Sequence, residues 1–352
     1  MQANNKNKQE IKFKPHTFKR LLGLMWAFKG KLIFALTCIV ISSVVGASTA
    51  LFLRVIIDDY ILPAVAGGGL IAAGLIRVIL TMALVYALGI VTNYAANYTM
   101  IFVEQGTLKN IRDQMYTKMQ SLSIGYFDSH AVGDVMSRYT NDTDSLRQAI
   151  SQSIPQVFAS FISTMAAFFS MLYLSVWLTA FVVLFSVVLF LVLKVIVKHS
   201  SRYFVKQQSA LGTLNAYIEE MIKGQKVVKV FNRETQTKAD FDTRNEDLSY
   251  AATQANKFSN VMMPVVGNFG YLLYVLLAVV GGAAGIAGLP NLRLTGVDTL
   301  TIGTIISFLT LSRSFINPIG QISMQINMIV MAVAGAERIF ELMDQEPEED
   351  EG

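Results

Sequence analysis

The chain has 352 residues, 53% of them hydrophobic and only 15% charged. A soluble domain carries nearer a quarter charged residues, so the composition excludes an ordinary water-soluble enzyme and makes lipid the main solvent. The net charge of +4 is carried beside apolar runs, which fits orientation in a membrane and speaks against a nucleic-acid partner.

Residues 1–31 open polar and turn basic through Lys12, Lys14, Lys19, Arg20, Lys29 and Lys31. Between these, Phe18, Leu21, Leu22, Leu24, Met25 and Trp26 recur at helical spacing. The pattern predicts a cytoplasmic tail and an amphipathic elbow helix in the membrane interface, lysines toward anionic lipid. Residues 32–336 then read as a six-helix transmembrane domain. The run 31–54 encloses a charge-free stretch long enough for about 30 Å of hydrocarbon, and too long for a signal peptide. Asp58 and Asp59 should emerge outside, ahead of Pro63 and a glycine turn at 67–69. The second span covers about 70–103, with Arg77 near its outer end.

Residues 104–147 form a first cytoplasmic excursion. The spacing of Ile111, Met115, Met119 and Leu122 carries its helix about 30 Å past the bilayer at 1.5 Å per residue. No charge occurs between Arg147 and Lys194, which is room for two crossings joined by a very short outer turn at 173–177. Residues 194–257 form a second excursion. The fifth span, 257–293, holds Pro264, Gly267 and Gly270 as an expected kink, and Gly281 with Gly285 for close helix contact. Arg293 and Asp298 mark a short outer loop, and the sixth span runs from near Leu300 to Ala336. Residues 337–352 read as a connector ending in an acidic tail. The fold class is an all-α membrane protein: six transmembrane helices with long cytoplasmic extensions, and both termini inside the cell.

No GxxxxGK[ST] phosphate loop, HExxH or nucleophile elbow occurs, so the chain carries no ATPase site of its own. Cys38 is the sole cysteine and His16, His130 and His199 are far apart, a poor basis for a metal site. Polar side chains do recur inside the spans. Arg313, Asn317, Gln321 and Gln325 share one face of the sixth helix, Gln148, Gln152 and Gln156 one face of the third, and Asn93 and Asn97 one face of the second. A cation and amides facing lipid are costly, so these stripes point into the bundle. They line a substrate cavity, or they join helices by hydrogen bonds.

In the first excursion, Phe127, Asp128, Gly133, Asp134, Arg138 and Asp142 form a spaced polar pattern. Gly133 suits a tight turn at a helix start, Asp134 suits the positive helix end, and Arg138 can pair with Asp142 at i,i+4. In the second, Tyr217, Glu219, Glu220 and Gly224 precede VVKVFNRE at 227–234. The chain then leaves the membrane through GAERIFELMD at 335–344. These segments, in this order around six spans, resemble the type IV ABC exporters, and the resemblance covers 18–344. It implies that the first loop presents a coupling helix to an ATP-hydrolysing domain. The fourth and fifth helices would cross to a partner half, so Glu219, Glu220 and Gly224 would meet the opposite domain. ATP and Mg would be bound on nucleotide-binding domains only, with no cofactor in this chain.

The implied partners are a second exporter half, identical or not, the nucleotide-binding domains, the lipid bilayer and an amphipathic small-molecule, lipid or peptide substrate. The implied function is outward export by alternating access at a cell membrane, bacterial by preference. The chain is expected to have been cut from a parent that continues into the missing domain. An ATP-independent secondary transporter or channel is the alternative, and it predicts inverted repeats and midplane ionisable residues.

Overall fold

The structure, a computed structural model, describes residues 15–68, 72–294 and 296–348. Lys12, Lys14, Gly69, the start of the second span at Leu70 and the last residues of the acidic tail lie outside them. In chain order the elements are α1 (Pro15–Met25), α2 (Lys29–Val55), α3 (Ala72–Gln120), α4 (Ile124–Ser129), α5 (Val132–Ser137), α6 (Thr143–Gln148), α7 (Ile154–Leu174), α8 (Val176–Lys223), α9 (Gln225–Val230), α10 (Glu234–Ile286), β1 (Pro290–Arg293), β2 (Gly296–Thr299) and α11 (Ile302–Met343). Among the described residues, six helical runs are long and apolar enough to cross a membrane, which makes this a multi-pass membrane protein.

Helix α3 has 49 residues, α8 has 48 and α10 has 53. At 1.5 Å per residue each is roughly 70–80 Å long, more than twice the hydrocarbon thickness. Wide π-type turns at Arg138–Asp142 and Ala149–Ser153 join α5, α6 and α7 into one run. Ser175 alone, in an extended conformation, separates α7 from α8. The helical backbone of α10 continues through Pro264, Gly267 and Gly270, the positions of the expected kink.

The chain divides into two compact units: the described residues up to Val176 with those from Ala278 onward, and Trp177–Leu277. In the first unit, the largest apolar cluster lies where α4 and α5 sit, here termed the loop end. Leu21 and Met25 of α1, Ile111 and Met115 of α3, Leu146 and Ile150 near α6, and Ile339 and Leu342 of α11 are all buried in it. The apolar stripe of the elbow helix is therefore divided. Leu21 and Met25 pack on protein, while Leu22 and Trp26 stay exposed as an interfacial helix requires.

Asp58 does not emerge into solvent as its position after the first span suggests. Its side chain accepts hydrogen bonds from Thr301 Oγ1 at 2.6 Å and Gly303 N at 2.9 Å, with Arg54 3.5 Å away. A carboxylate is thereby held at the positive N-terminal end of α11. A Cβ on Gly303 would lie 2.5 Å from Asp58 Oδ1, so this approach requires glycine. Gly281 and Gly285 at the end of α10 approach Ile305 of α11, the close contact that their spacing allows.

The loop after α10 departs from the all-α expectation. Strands β1 and β2 pair antiparallel, with Leu292 opposite Val297 and Asn291 opposite Asp298. Arg293 and Asp298 form an ion pair at 2.8 Å, and the buried Asn291 donates to Leu174 O at 2.9 Å. Gly296, at φ +140°, supplies a backbone angle at the turn that other residues rarely adopt.

In the second unit α8 and α10 meet through rings. Phe185 lies 5.5 Å from Phe269, and Phe258 stacks on both Tyr203 and His199. Residue numbers on α8 rise as those on α10 fall, so the rods run antiparallel.

Candidate functional site

A cavity of about 500 Å³ opens in the first unit between α2, α3, α7 and α11. Its polar lining includes Asn93 and Asn97 of α3, Gln152 and Gln156 from the run into α7, and Gln321 and Gln325 of α11. Ile39, Met100, Ala159 and Met324 supply an apolar side. Two amide pairs bind one another: Asn97 Nδ2 donates to Asn93 Oδ1 at 2.6 Å, and Gln156 Nε2 to Gln321 Oε1 at 3.0 Å. The second pair links helices 165 residues apart in sequence. In one place, then, an amide pair that faces a cavity also joins two helices.

Three residues of the stripes do not line this cavity. Gln148 turns to the loop end and donates to Asp144 Oδ2 at 2.9 Å, because a carboxylate one helical turn away is the stronger acceptor. Arg313 and Asn317 are exposed farther along α11, outside the lining. A shared helix face is not a shared cavity when the cavity is shorter than the stripe.

The first loop is a compact block. Tyr126 of α4 is its buried centre, stacked on His130 at 4.1 Å and accepting from Arg138 Nη1 at 2.8 Å. The i,i+4 pair expected between Arg138 and Asp142 is replaced by a longer-range one. Asp142 is buried and takes both oxygens to Arg338 of α11, Nε donating at 2.9 Å and Nη2 closing the second bond. Gly335 makes room for this, since its α-carbon packs directly on Asp142 backbone. Gly133 does not make a tight turn either. It is exposed within α5 with open space at its α-carbon, and His130 and Ala131, both extended, break the chain between α4 and α5. Asp134 lies in the first turn of α5, and Asp128 and Phe127 are exposed.

The end of α11 is tied in at a second point. Arg20 of α1 donates to both oxygens of Asp344, at 2.6 and 2.9 Å, and stacks over Phe340 at 4.3 Å. These hydrogen bonds hold the Asp344 carboxyl below the usual aspartate range. The segment 335–344 is thus built into the block as the last turns of α11.

The second loop is lighter. Tyr217 of α8 donates from Oη to Thr237 O at 2.9 Å, and Arg244 lies over its ring at 4.2 Å. Gly224 ends α8, donating to Glu220 O at 2.8 Å; a Cβ there would press on that carbonyl at 3.2 Å. Glu219 pairs with Lys223 in solvent, and the Glu220 side chain is exposed. Large apolar residues stand exposed at both loops: Ile124 and Val132 at the first, and Val230 and Phe231 at the second.

A family model for the ABC transporter transmembrane region matches residues 32–319. The chain belongs to that family. A Bacillus subtilis protein named an uncharacterized ABC transporter ATP-binding protein, YfiC, is 30% identical over 98% of this chain and 55% of its own length. A Mycobacterium bovis fatty acid ABC transporter ATP-binding/permease protein is 31% identical over 70% of this chain and 37% of its own length. An ATP-dependent lipid A-core flippase of Syntrophus aciditrophicus is 25% identical over 94% and 52%. The chain spans about half the length of the curated relatives it matches, or less.

For an ABC transmembrane region, three devices described above escape sequence reasoning: the Asp142–Arg338 pair, the Arg20–Asp344 pair and the Asp58 grip on α11. Each joins residues at least 196 apart. At Asp142 and Asp58 a basic residue one turn earlier, Arg138 and Arg54, offers a local partner that hides the longer-range one. The sequence of this ABC region contains no GxxxxGK[ST] phosphate loop. Among the described residues, no group of three or more His, Cys, Asp or Glu is placed to hold an ion.

Proposed function

We propose that this chain is the transmembrane half of an ATP-driven exporter. It moves an amphipathic small molecule, lipid or peptide outward by alternating access. A nucleotide-binding domain beyond these 352 residues supplies ATP hydrolysis with Mg, and a second half completes the pathway. The bilayer is a cell membrane, with both termini and both loops on the cytoplasmic side. The relatives named for fatty acid and lipid A-core favour a cargo with an acyl body.

The observation that carries this reading is the exposed apolar tips of the two loops. Ile124 is 75% exposed, Val132 77% and Val230 76%; the first two stand on α4 and α5, which bury Tyr126 and Val135, while the short α9 under Val230 buries none of its residues. Apolar residues held on a rigid support and facing water suit docking of another domain. The block at the first loop then transmits the motion: a push on α4 and α5 reaches α11 through Asp142 and Arg338, and α11 lines the amide cavity. Gating of this kind is rigid-body movement rather than local melting.

The test is reconstitution in vesicles with a nucleotide-binding domain. Ile124→Glu or Val230→Glu should lower ATP-coupled uptake by at least about tenfold while thermal stability is kept, since a charge in an apolar contact costs a few kcal/mol. Uptake that is independent of ATP, or silence of both variants, would overturn the proposal. Gly133→Pro is a weak test, because proline is tolerated in the first turn of a helix.

A further inference from the structure

The cavity carries more information than its position. Its polar lining is built from six primary amides and two hydroxyls, Ser42 and Ser151. No Asp, Glu, Lys, Arg or His is among the described residues that line it. The charges nearest in sequence to the lining are engaged, pushed toward the neutral form by burial or distant. Glu104, one turn past Met100 on α3, is buried, accepts from Gln105 Nε2 at 3.2 Å, and has its carboxyl pushed up by desolvation. Arg147 pairs with Asp144 at 2.8 Å, and Arg313 stands eight residues along α11 from Gln321, about 12 Å along the helix. Gln152 and Gln325 show no hydrogen bond to another described residue, so their donors and acceptors are open to a guest.

An amide offers both N–H and C=O, and so pairs with hydroxyl or amide groups in either sense. It cannot neutralise an ion. A charged head taken from water into such a site loses its hydration without gaining a counter-charge, whereas a neutral polyol or amide head exchanges one set of hydrogen bonds for another. The apolar wall formed by Ile39, Met100 and Met324 suits the hydrocarbon end of the same molecule. We infer that this cavity selects amphiphiles by an uncharged, hydrogen-bonding head group, such as a sugar or a peptide amide, and discriminates against heads that bear a permanent charge. Gln152 and Gln325 are the specificity-determining residues. This rests on the cavity being the transport site, as proposed above.

The test is a binding measurement that needs no ATP. The chain in nanodiscs is photolabelled with three probes that share a diazirine-bearing dodecyl tail: a glucoside, a trimethylammonium and a phosphate. Labelled peptides are mapped by mass spectrometry. The glucoside should label 93–100, 151–159 and 321–325 with an apparent Kd at least about tenfold below those of the charged probes. Gln152→Ala with Gln325→Ala should remove that preference, and Gln152→Glu should move it toward the ammonium probe. Equal labelling by a charged probe, or a preference unchanged in the double variant, overturns the inference. If the double variant fails to fold, the ranking on the unaltered chain still decides. A glucoside that binds as expected but is not moved by ATP sinks the transport reading alone. ATP-driven export of charged and neutral heads at equal rates sinks this inference alone.

Discussion

The two loops, given one role in the proposal above, are built differently. The first is a block with its own core: Tyr126, Leu146, Ile339 and Leu342 are buried, and two arginine–aspartate pairs tie α11 to the loop and to α1. The second is a helical hairpin tied near its tip by one phenol hydroxyl, one guanidinium–ring contact and the exposed Lys229–Glu234 ion pair. A cored block moves as one body, while a hairpin with few ties depends on its partner for rigidity. On the proposed coupling, the first loop would transmit force and the second would conform to what it touches.

That contrast can be broken most strongly at Asp142. Asp142→Ala leaves Arg338 facing a buried gap and should cost roughly 2–3 kcal/mol, read as a fall in the thermal midpoint in nanodiscs. The guanidinium side is 54% exposed against 4% for the carboxylate, which keeps the loss toward the lower figure. Gly335→Val comes next. Its side chain has to enter the contact with Asp142 backbone, which should cost about 1–3 kcal/mol and loosen 138–148 in hydrogen exchange.

Tyr217→Phe sharpens the comparison from the other side. It removes one hydrogen bond of about 1 kcal/mol, so exchange should quicken over 225–237 and stay unchanged over 124–148. The smallest effect concerns pH. Asp344 has its folded pKa depressed by Arg20, so the stabilisation is present above the ordinary aspartate value and is lost as pH falls through the lower folded value. Because the pair is largely exposed, screening keeps the effect small. The protection of α1, taken relative to the intrinsic exchange rate at each pH, should fall in acid, and Arg20→Ala should abolish that pH dependence while leaving α9 unaffected.

How much of this was legible follows from the range of each interaction. The six spans were, because an apolar run of 20 residues is a local property. So were the protruding rods and the glycine pair at 281 and 285, which depend on spacing within one helix. Six of the nine polar stripe residues do meet in one cavity, but Arg313, Asn317 and Gln148 show that helical phase fixes a direction and not a depth. Arg138 and Asp142 were misread as mutual partners because i,i+4 is the nearest pairing a sequence offers. Their real partners lie on other helices. The hairpin at 290–299 gave no period to read, since each strand has only four residues.

Asp58 has a bearing on how the molecule is made. Its acceptors' partners, Thr301 and Gly303, are synthesised more than 240 residues later. Until they arrive, the charged partner within reach of that carboxylate is Arg54, one turn earlier on the same run. Only when the final helix arrives can the acid be withdrawn from solvent and the bundle be stitched shut at that rim, so assembly is completed by the oldest and the youngest helices meeting.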